Sequence, residues 1–215
     1  MLQAHRDAEA GARGAEAVSP KVFIASGNRG KITELRRLLP GVEVVGTHDV
    51  PEWTAPPETA DTFEGNALIK ARAGCRASGL PTVADDSGLS VDVLNGMPGV
   101  RSARWAGSDA TDRSNLELLL HQLFDVGVDR RGAHFACVVA AVFPDGTEIV
   151  RSGTMPGHLA FEPEGDHGFG YDPIFVPQGE RRTSAQMSPE EKDAISHRGQ
   201  ALRAIIPELL EKLER

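Results

Sequence analysis

The chain has 215 residues, long enough for one large domain, or one domain with two lobes, around a substantial core. Its 23 basic and 31 acidic residues leave a net charge of −8, which argues against a nucleic-acid binder, because phosphate-tracking proteins concentrate positive charge. Cys75 and Cys137 are too few and too far apart for a disulfide framework or a CxxC metal site, and they read as packed thiols in a reducing cytoplasm.

Residues 1 to 20, rich in Ala, Gly, Arg and Glu, carry little β-branched or aromatic content and end in Ser19-Pro20, which predicts a disordered N-terminal extension. They lack the basic-then-apolar order of a secretory signal, and no run approaches the ~20 apolar residues of a membrane span. A single domain over residues 21 to 215 is expected, since no repeat or linker divides the rest.

Val22-Phe23-Ile24-Ala25 is a short apolar run that breaks into Ser26-Gly27-Asn28-Arg29-Gly30-Lys31 and then into the helical pattern Ile32, Leu35, Leu38, Leu39. Strand, glycine loop and helix in that order offer backbone N–H groups and a helix N-terminus to an anion, with Lys31 as a point charge for phosphate. The spacing differs from a Walker A loop, and a plain strand-to-helix turn is the competing reading.

Residues 62 to 78 predict a helix capped by Thr62 or Asp61, and at 100° per residue Lys70 falls in the row of Phe63, Ala67 and Gly74. Lys70 therefore points along the packed face, either snorkelling to its rim or aimed at a buried anion, whereas Arg72 and Arg76 read as solvated. Thr82 to Leu89 places Asp85, Asp86 and Ser87 at the end of an apolar strand, before a glycine that lets the chain turn into a second strand from Leu89 to Val93. Strand ends of α/β sheets open onto ligand crevices, and adjacent carboxylates repel unless a cation or a proton is shared.

A loop at Asn95 to Val100 precedes a helix over residues 111 to 124 striped with Leu116, Leu119, Leu120 and Leu123. His134 to Phe143 is a long β run that turns at Pro144-Asp145-Gly146 into Thr147 to Thr154, an antiparallel hairpin within a mixed sheet. Gly168-Phe169-Gly170-Tyr171-Asp172-Pro173 holds the one tyrosine; it reads as a wall for a nucleobase or as a glycine-rich turn with packed aromatics. Ser188-Pro189-Glu190-Glu191 is a capping box that starts a helix with Lys192 in its first turn. His197 and Arg198 sit at a bend before the amphipathic stripe Leu202, Ile205, Ile206, Leu209 and Leu210.

Taken together, Ser26 to Lys31, Asn66 to Lys70, Asp85 to Leu89, Phe169 to Pro173 and Ser196 to Gln200 closely resemble the motifs of the Ham1/inosine triphosphate pyrophosphatase family, from about Lys21 to the C-terminus. The resemblance implies an elongated α/β fold with a mixed sheet, two lobes around a nucleotide cleft, a homodimer, and Mg²⁺-dependent hydrolysis of ITP, dITP and XTP to the monophosphate and pyrophosphate. Carried over residue by residue, Ser26, Gly27, Asn28, Arg29, Gly30 and Lys31 would hold the triphosphate, and Lys70 would reach the phosphates from its helix. Asp86 would be the general base, and with Glu58 would hold the metal; Ser87 would touch the substrate. Phe169, Gly170, Tyr171 and Asp172 would wall the purine pocket, with Lys192, His197 and Arg198 donating to the base edge. Asp85 is expected either to fix the turn or to be an outer-sphere metal partner, the structural role being favoured because adjacent strand residues face opposite ways. The chain departs from the family in its first twenty residues and at Gly65, where many relatives carry a carboxylate. A Maf-like nucleotide pyrophosphatase and a nucleotide-binding module without turnover are the competing readings.

Overall fold

A computed structural model describes residues 19–27, 32, 36 and 39–214. The expected N-terminal extension falls, but for Ser19 and Pro20, outside the described residues. The Pro20 carbonyl accepts a hydrogen bond from the Glu43 amide, so the chain joins the sheet there.

Among the described residues six strands form one mixed sheet. They are β1 (Lys21–Ile24), β2 (Glu43–Val45), β3 (Thr82–Val91), β4 (Gly132–Val142), β5 (Glu148–Leu159) and β6 (Phe175–Pro177), in the spatial order β2-β1-β3-β4-β5-β6. The first three run parallel, whereas the β3-β4, β4-β5 and β5-β6 pairs are antiparallel. The predicted hairpin joins β4 to β5, closed by the Phe143 amide on the Thr147 carbonyl.

Strand alternation sorts the core onto two faces. On one face α1 (Phe63–Ser78) lays Ala67, Ala71 and Cys75 against Phe23, Ala84, Ala140 and Val142. Thr62 caps this helix by accepting from the Gly65 amide. On the other face α4 (His197–Leu213) sets Ala201, Leu202, Ile205 and Leu209 against Val22, Ile24, Val83, Cys137 and Val139. Further along that face α2 (Asp112–Gln122) packs Leu116 and Leu119 on Leu89, Val91, Phe135 and Phe175. A short helix, α3 (Pro189–Ile195), precedes α4, with the predicted capping box at Ser188. Among the described residues no helix is long and apolar enough to cross a membrane.

One expectation is overturned. Residues 82 to 91 form a single unbroken strand paired to β4 along its whole length, so Asp85 and Asp86 lie in mid-strand and not at its end. Gly88 serves close approach rather than a turn, since a Cβ there would sit 2.4 Å from Ser102 Oγ and 2.5 Å from the Gly99 carbonyl. The strand end beside the acids belongs to β1, whose ladder with β3 stops at Ile24 and Val83. Among the described residues the same edge of β3 is next met at Leu89, whose amide donates to Ser102 Oγ. Arg72 is also more than a solvated charge, because its guanidinium forks onto Glu148 of β5 at 2.6 and 2.8 Å.

Candidate active site

Alternation along β3 turns Asp86 toward α1 and Asp85 and Ser87 toward α4. On the α1 side, Lys70 Nζ donates to Asp86 Oδ1 at 3.2 Å and to Glu58 Oε1 at 3.0 Å. Asn66, fully buried one helical turn before Lys70, donates from Nδ2 to Asp86 Oδ2 and accepts the Ala60 amide on Oδ1. One side chain thus fixes both the acid and the segment bearing Glu58. Arg104 donates to the second oxygen of Glu58 at 2.9 Å.

These contacts set the ionisation of the cluster. Burial raises the Asp86 pKa above the ordinary aspartate value, and Glu58 adds to the rise against the opposing pull of Lys70 and Asn66. Burial also acts to raise Glu58, but the Lys70 and Arg104 cations outweigh it and hold Glu58 below its usual value. Lys70 is raised, because Asp86 and Glu58 overcome the desolvation that would lower it. The two carboxylates that share Lys70 are thus shifted in opposite directions, Asp86 up and Glu58 down.

On the α4 side a cavity of about 200 Å³ is lined by Ser87, Phe135, Phe169, Gly170, Tyr171, Asp172, Lys192, His197 and Arg198, with Ser102, Asp112 and Asn115 around them. Phe169 is half exposed, with Lys192 Nζ 5.3 Å and the Arg198 guanidinium 5.9 Å from its ring centre. The His197 ring stacks on Phe135 at 5.0 Å. Asp172 accepts from the Phe169 amide and from Lys192, which holds the ammonium at the wall. Tyr171 lines the cavity with its ring almost wholly buried, and its hydroxyl donates to the Ser102 carbonyl. Burial and then Asp112 push its phenol pKa up, so the donor proton stays in place. The cavity joins an aromatic face to several cationic or N–H donors, an arrangement suited to a planar base rich in acceptor oxygens.

A sequence model of the Ham1 family matches residues 22–208. The chain belongs to the Ham1 family. A relative from Cutibacterium acnes named dITP/XTP pyrophosphatase is 54% identical over 200 residues, 90% of this chain and 98% of that protein. One of the same name from Nocardia farcinica is 55% identical over 194 residues, covering 88% and 94%. Among solved structures, the Staphylococcus aureus Ham1 protein superposes with a TM-score of 0.83 at 40% identity, covering 89% of this chain and 99% of that one. The Mycobacterium abscessus structure titled nucleoside-triphosphatase / dITP/XTP pyrophosphatase gives 0.77 at 55% identity, covering 87% and 99%.

Within this Ham1 fold the expected site residues fall into two groups on opposite faces of β3. Glu58, Lys70 and Asp86 meet on one, and Ser87, Phe169, Gly170, Tyr171, Asp172, Lys192, His197 and Arg198 meet on the other. Ala25, Ser26 and Gly27 follow β1, and the Ala25 amide donates to the Val83 carbonyl two residues before Asp85. Asn28, Arg29, Gly30 and Lys31 lie outside the described residues. Sequence reasoning missed the parts played by Asn66, Arg104 and Ser102. A signal existed for Asn66, a weak helix former near the start of a helix with no need of it; Arg104 and Glu58 are 46 residues apart and nothing in either segment announces their pairing.

The donor set fits a hard divalent cation. Glu58 and Asp86 both come within hydrogen-bond distance of a single cationic group, Lys70 Nζ, and Mg²⁺ is commonly held by one or two carboxylates together with substrate phosphates. Among the described residues no cluster of three or more His, Cys, Asp and Glu is placed to hold a metal ion. At Gly65 a Cβ would lie 2.5 Å from the Ala60 methyl, so a side chain there would displace the segment that carries Glu58.

Proposed function

We propose that the protein hydrolyses non-canonical purine nucleoside triphosphates, with dITP, ITP and XTP as substrates, to the monophosphate and pyrophosphate, and so removes them from the nucleotide pool. The observation that carries this reading is the division of β3. The Asp86 carboxylate, bonded to Lys70, stands on one face and a donor-lined aromatic cavity on the other, beyond the last residue pair of β3 with β1. The names borne by the relatives agree with it.

In this mechanism the base enters the cavity against Phe169 and the triphosphate crosses the edge of β3 toward Lys70. Ser26 and Gly27 begin the sequence stretch expected to hold the phosphates, to which Asn28, Arg29, Gly30 and Lys31 also belong. Asp86 takes a proton from a water whose oxygen bonds to the α-phosphorus. The bond from that phosphorus to the α–β bridging oxygen breaks, and pyrophosphate leaves with the oxygen. Lys70, held between Glu58 and Asp86, supplies a point charge to the phosphates and keeps Asp86 in its basic form. Mg²⁺, held by Glu58 and Asp86, would neutralise charge on the polyphosphate.

Selectivity follows from donor chemistry. Lys192, His197 and Arg198 present N–H groups to the 6-oxo acceptor of hypoxanthine or xanthine, and the 6-amino group of adenine would leave them unpaired. Sites that hydrogen-bond a substrate group discriminate against analogues lacking it by as much as ~10⁴-fold. The reading includes a cytoplasmic homodimer, whose mass sedimentation reports.

The deciding experiment measures pyrophosphate release from dITP, ITP, XTP and ATP by purified protein with Mg²⁺. The expected kcat/KM for the first three exceeds that for ATP by at least ~10²-fold. Equal rates on ITP and ATP would overturn the specificity, and tight binding of dITP without pyrophosphate release would overturn the catalysis.

A further inference from the structure

Asp85 is hydrogen-bonded to none of Glu58, Lys70 and Asp86 and does not line the cavity; its charge acts on Lys70 only through space, and the reaction above assigns it no step. Its side chain is one-tenth exposed and faces α4, where Arg198 Nε approaches Oδ2 at 3.5 Å and the Cys137 thiol donates to the same oxygen at 4.0 Å. The Arg198 Nη2 donates to Ser87 Oγ at 3.2 Å, two residues along the same face of β3.

Arg198 needs such an anchor. It lies in the first turn of α4, beside the cap Ser196, where the helix dipole disfavours a cation. It is also largely buried, and a buried guanidinium without a carboxylate is costly. Asp85 answers both demands from the strand behind it, leaving Arg198 aimed along the rim toward Phe169. We infer that Asp85 is a positioning residue for base recognition, its carboxylate holding the Arg198 guanidinium against Ser87 at the wall of the cavity. The inference rests on the function proposed above and deepens it. Neighbouring aspartates divide the labour, Asp86 toward the phosphates and Asp85 behind the residue that meets the base.

The test is steady-state kinetics on dITP with the full-length protein. Asp85→Asn is expected to raise KM about tenfold, between the effects of losing an exposed and a fully buried ion-pair partner, while kcat stays within about twofold. The preference for ITP over ATP should fall in step, and Asp85→Asn should add nothing in an Arg198→Ala background, because residues that act as one unit are not additive. Arg198→Lys keeps the counter-charge of Asp85 but loses the fork, so it probes the same link without uncovering a buried acid, and the same rise in KM is expected. A loss of kcat at unchanged KM, unchanged kinetics in either variant, or additive effects in the double variant would overturn the inference. Wild-type protein that releases no pyrophosphate from dITP would instead sink the proposed function. Calorimetric binding of dITP then reads the link by itself, and wild-type affinity in Asp85→Asn overturns it.

Discussion

On the α1 face of β3, ions answer one another across the site: Lys70 bridges Asp86 and Glu58, and Arg104 closes on Glu58 from the far side. On the α4 face, each cation that borders the cavity is backed by an acid, Lys192 by Asp172 and Arg198 by Asp85. The first arrangement leaves one carboxylate poised to change its protonation, as a general base requires. The second fixes the direction of donors, as recognition of a base edge requires. One strand serves both because its side chains alternate, so the two tasks are insulated by a backbone and not by distance.

Substitutions that strike one face only should separate the tasks. The largest effect is expected from Asp86→Asn, which should lower kcat for pyrophosphate release at least ~10²-fold, the usual loss for a general base, with KM for dITP little changed. A comparable rise in KM would show that the faces are not separate.

Lys70→Met should cost about tenfold or more in kcat/KM and also alter the pH profile. In the proposed mechanism Asp86 acts as the base in its ionised form. Burial raises its pKa and Lys70 opposes the rise, so removing Lys70 releases the pKa upward. The acid limb of kcat/KM, measured between pH 4 and 9, should therefore move to higher pH; a limb that stays in place would remove Lys70 from the control of Asp86.

Gly88→Ala strikes the junction itself. With Ser102 Oγ and the Gly99 carbonyl in the space a methyl would take, the fold should lose ~1–3 kcal/mol by urea denaturation, as overpacked positions do. Wild-type stability would mean that the loop moves freely over the strand.

The smallest effect is expected from Phe169→Ala. Loss of the stacking face should raise KM for dITP about tenfold, at the low end of the ~1–3 kcal/mol such stacking contributes, and should leave kcat and the pH profile alone. A change in kcat would tie the aromatic wall to the reaction face.

Much of this architecture was legible in the residues. The 3.6-residue patterns of α1 and α4, the hairpin and the caps at Thr62 and Ser188 are local signals, and the structure has them where expected. The division of β3 was harder to see. Asp85-Asp86-Ser87-Gly88 reads as a break, because polar residues and glycine are poor strand formers. The strand persists since β4 pairs with every one of its ten residues, from Thr82 against Val142 to Val91 against Ala133, a non-local ladder that local propensity cannot foresee. The same limit hid Arg104 and Ser102, whose partners are distant in the chain. Tyr171 was conspicuous as the sole tyrosine, yet its buried hydroxyl is spent on a backbone carbonyl and its ring braces the wall.

Ser102 carries a consequence of its own. Its hydroxyl accepts from the Leu89 amide and donates to the Gly99 carbonyl, while its own carbonyl receives the Tyr171 phenol. The loop bearing the aromatic wall is thereby riveted to the strand that bears Asp86, three residues along from it. A molecule reaching from one to the other must match a span set by the protein, which makes the pair of sites a gauge of ligand length as well as a binder of its two ends.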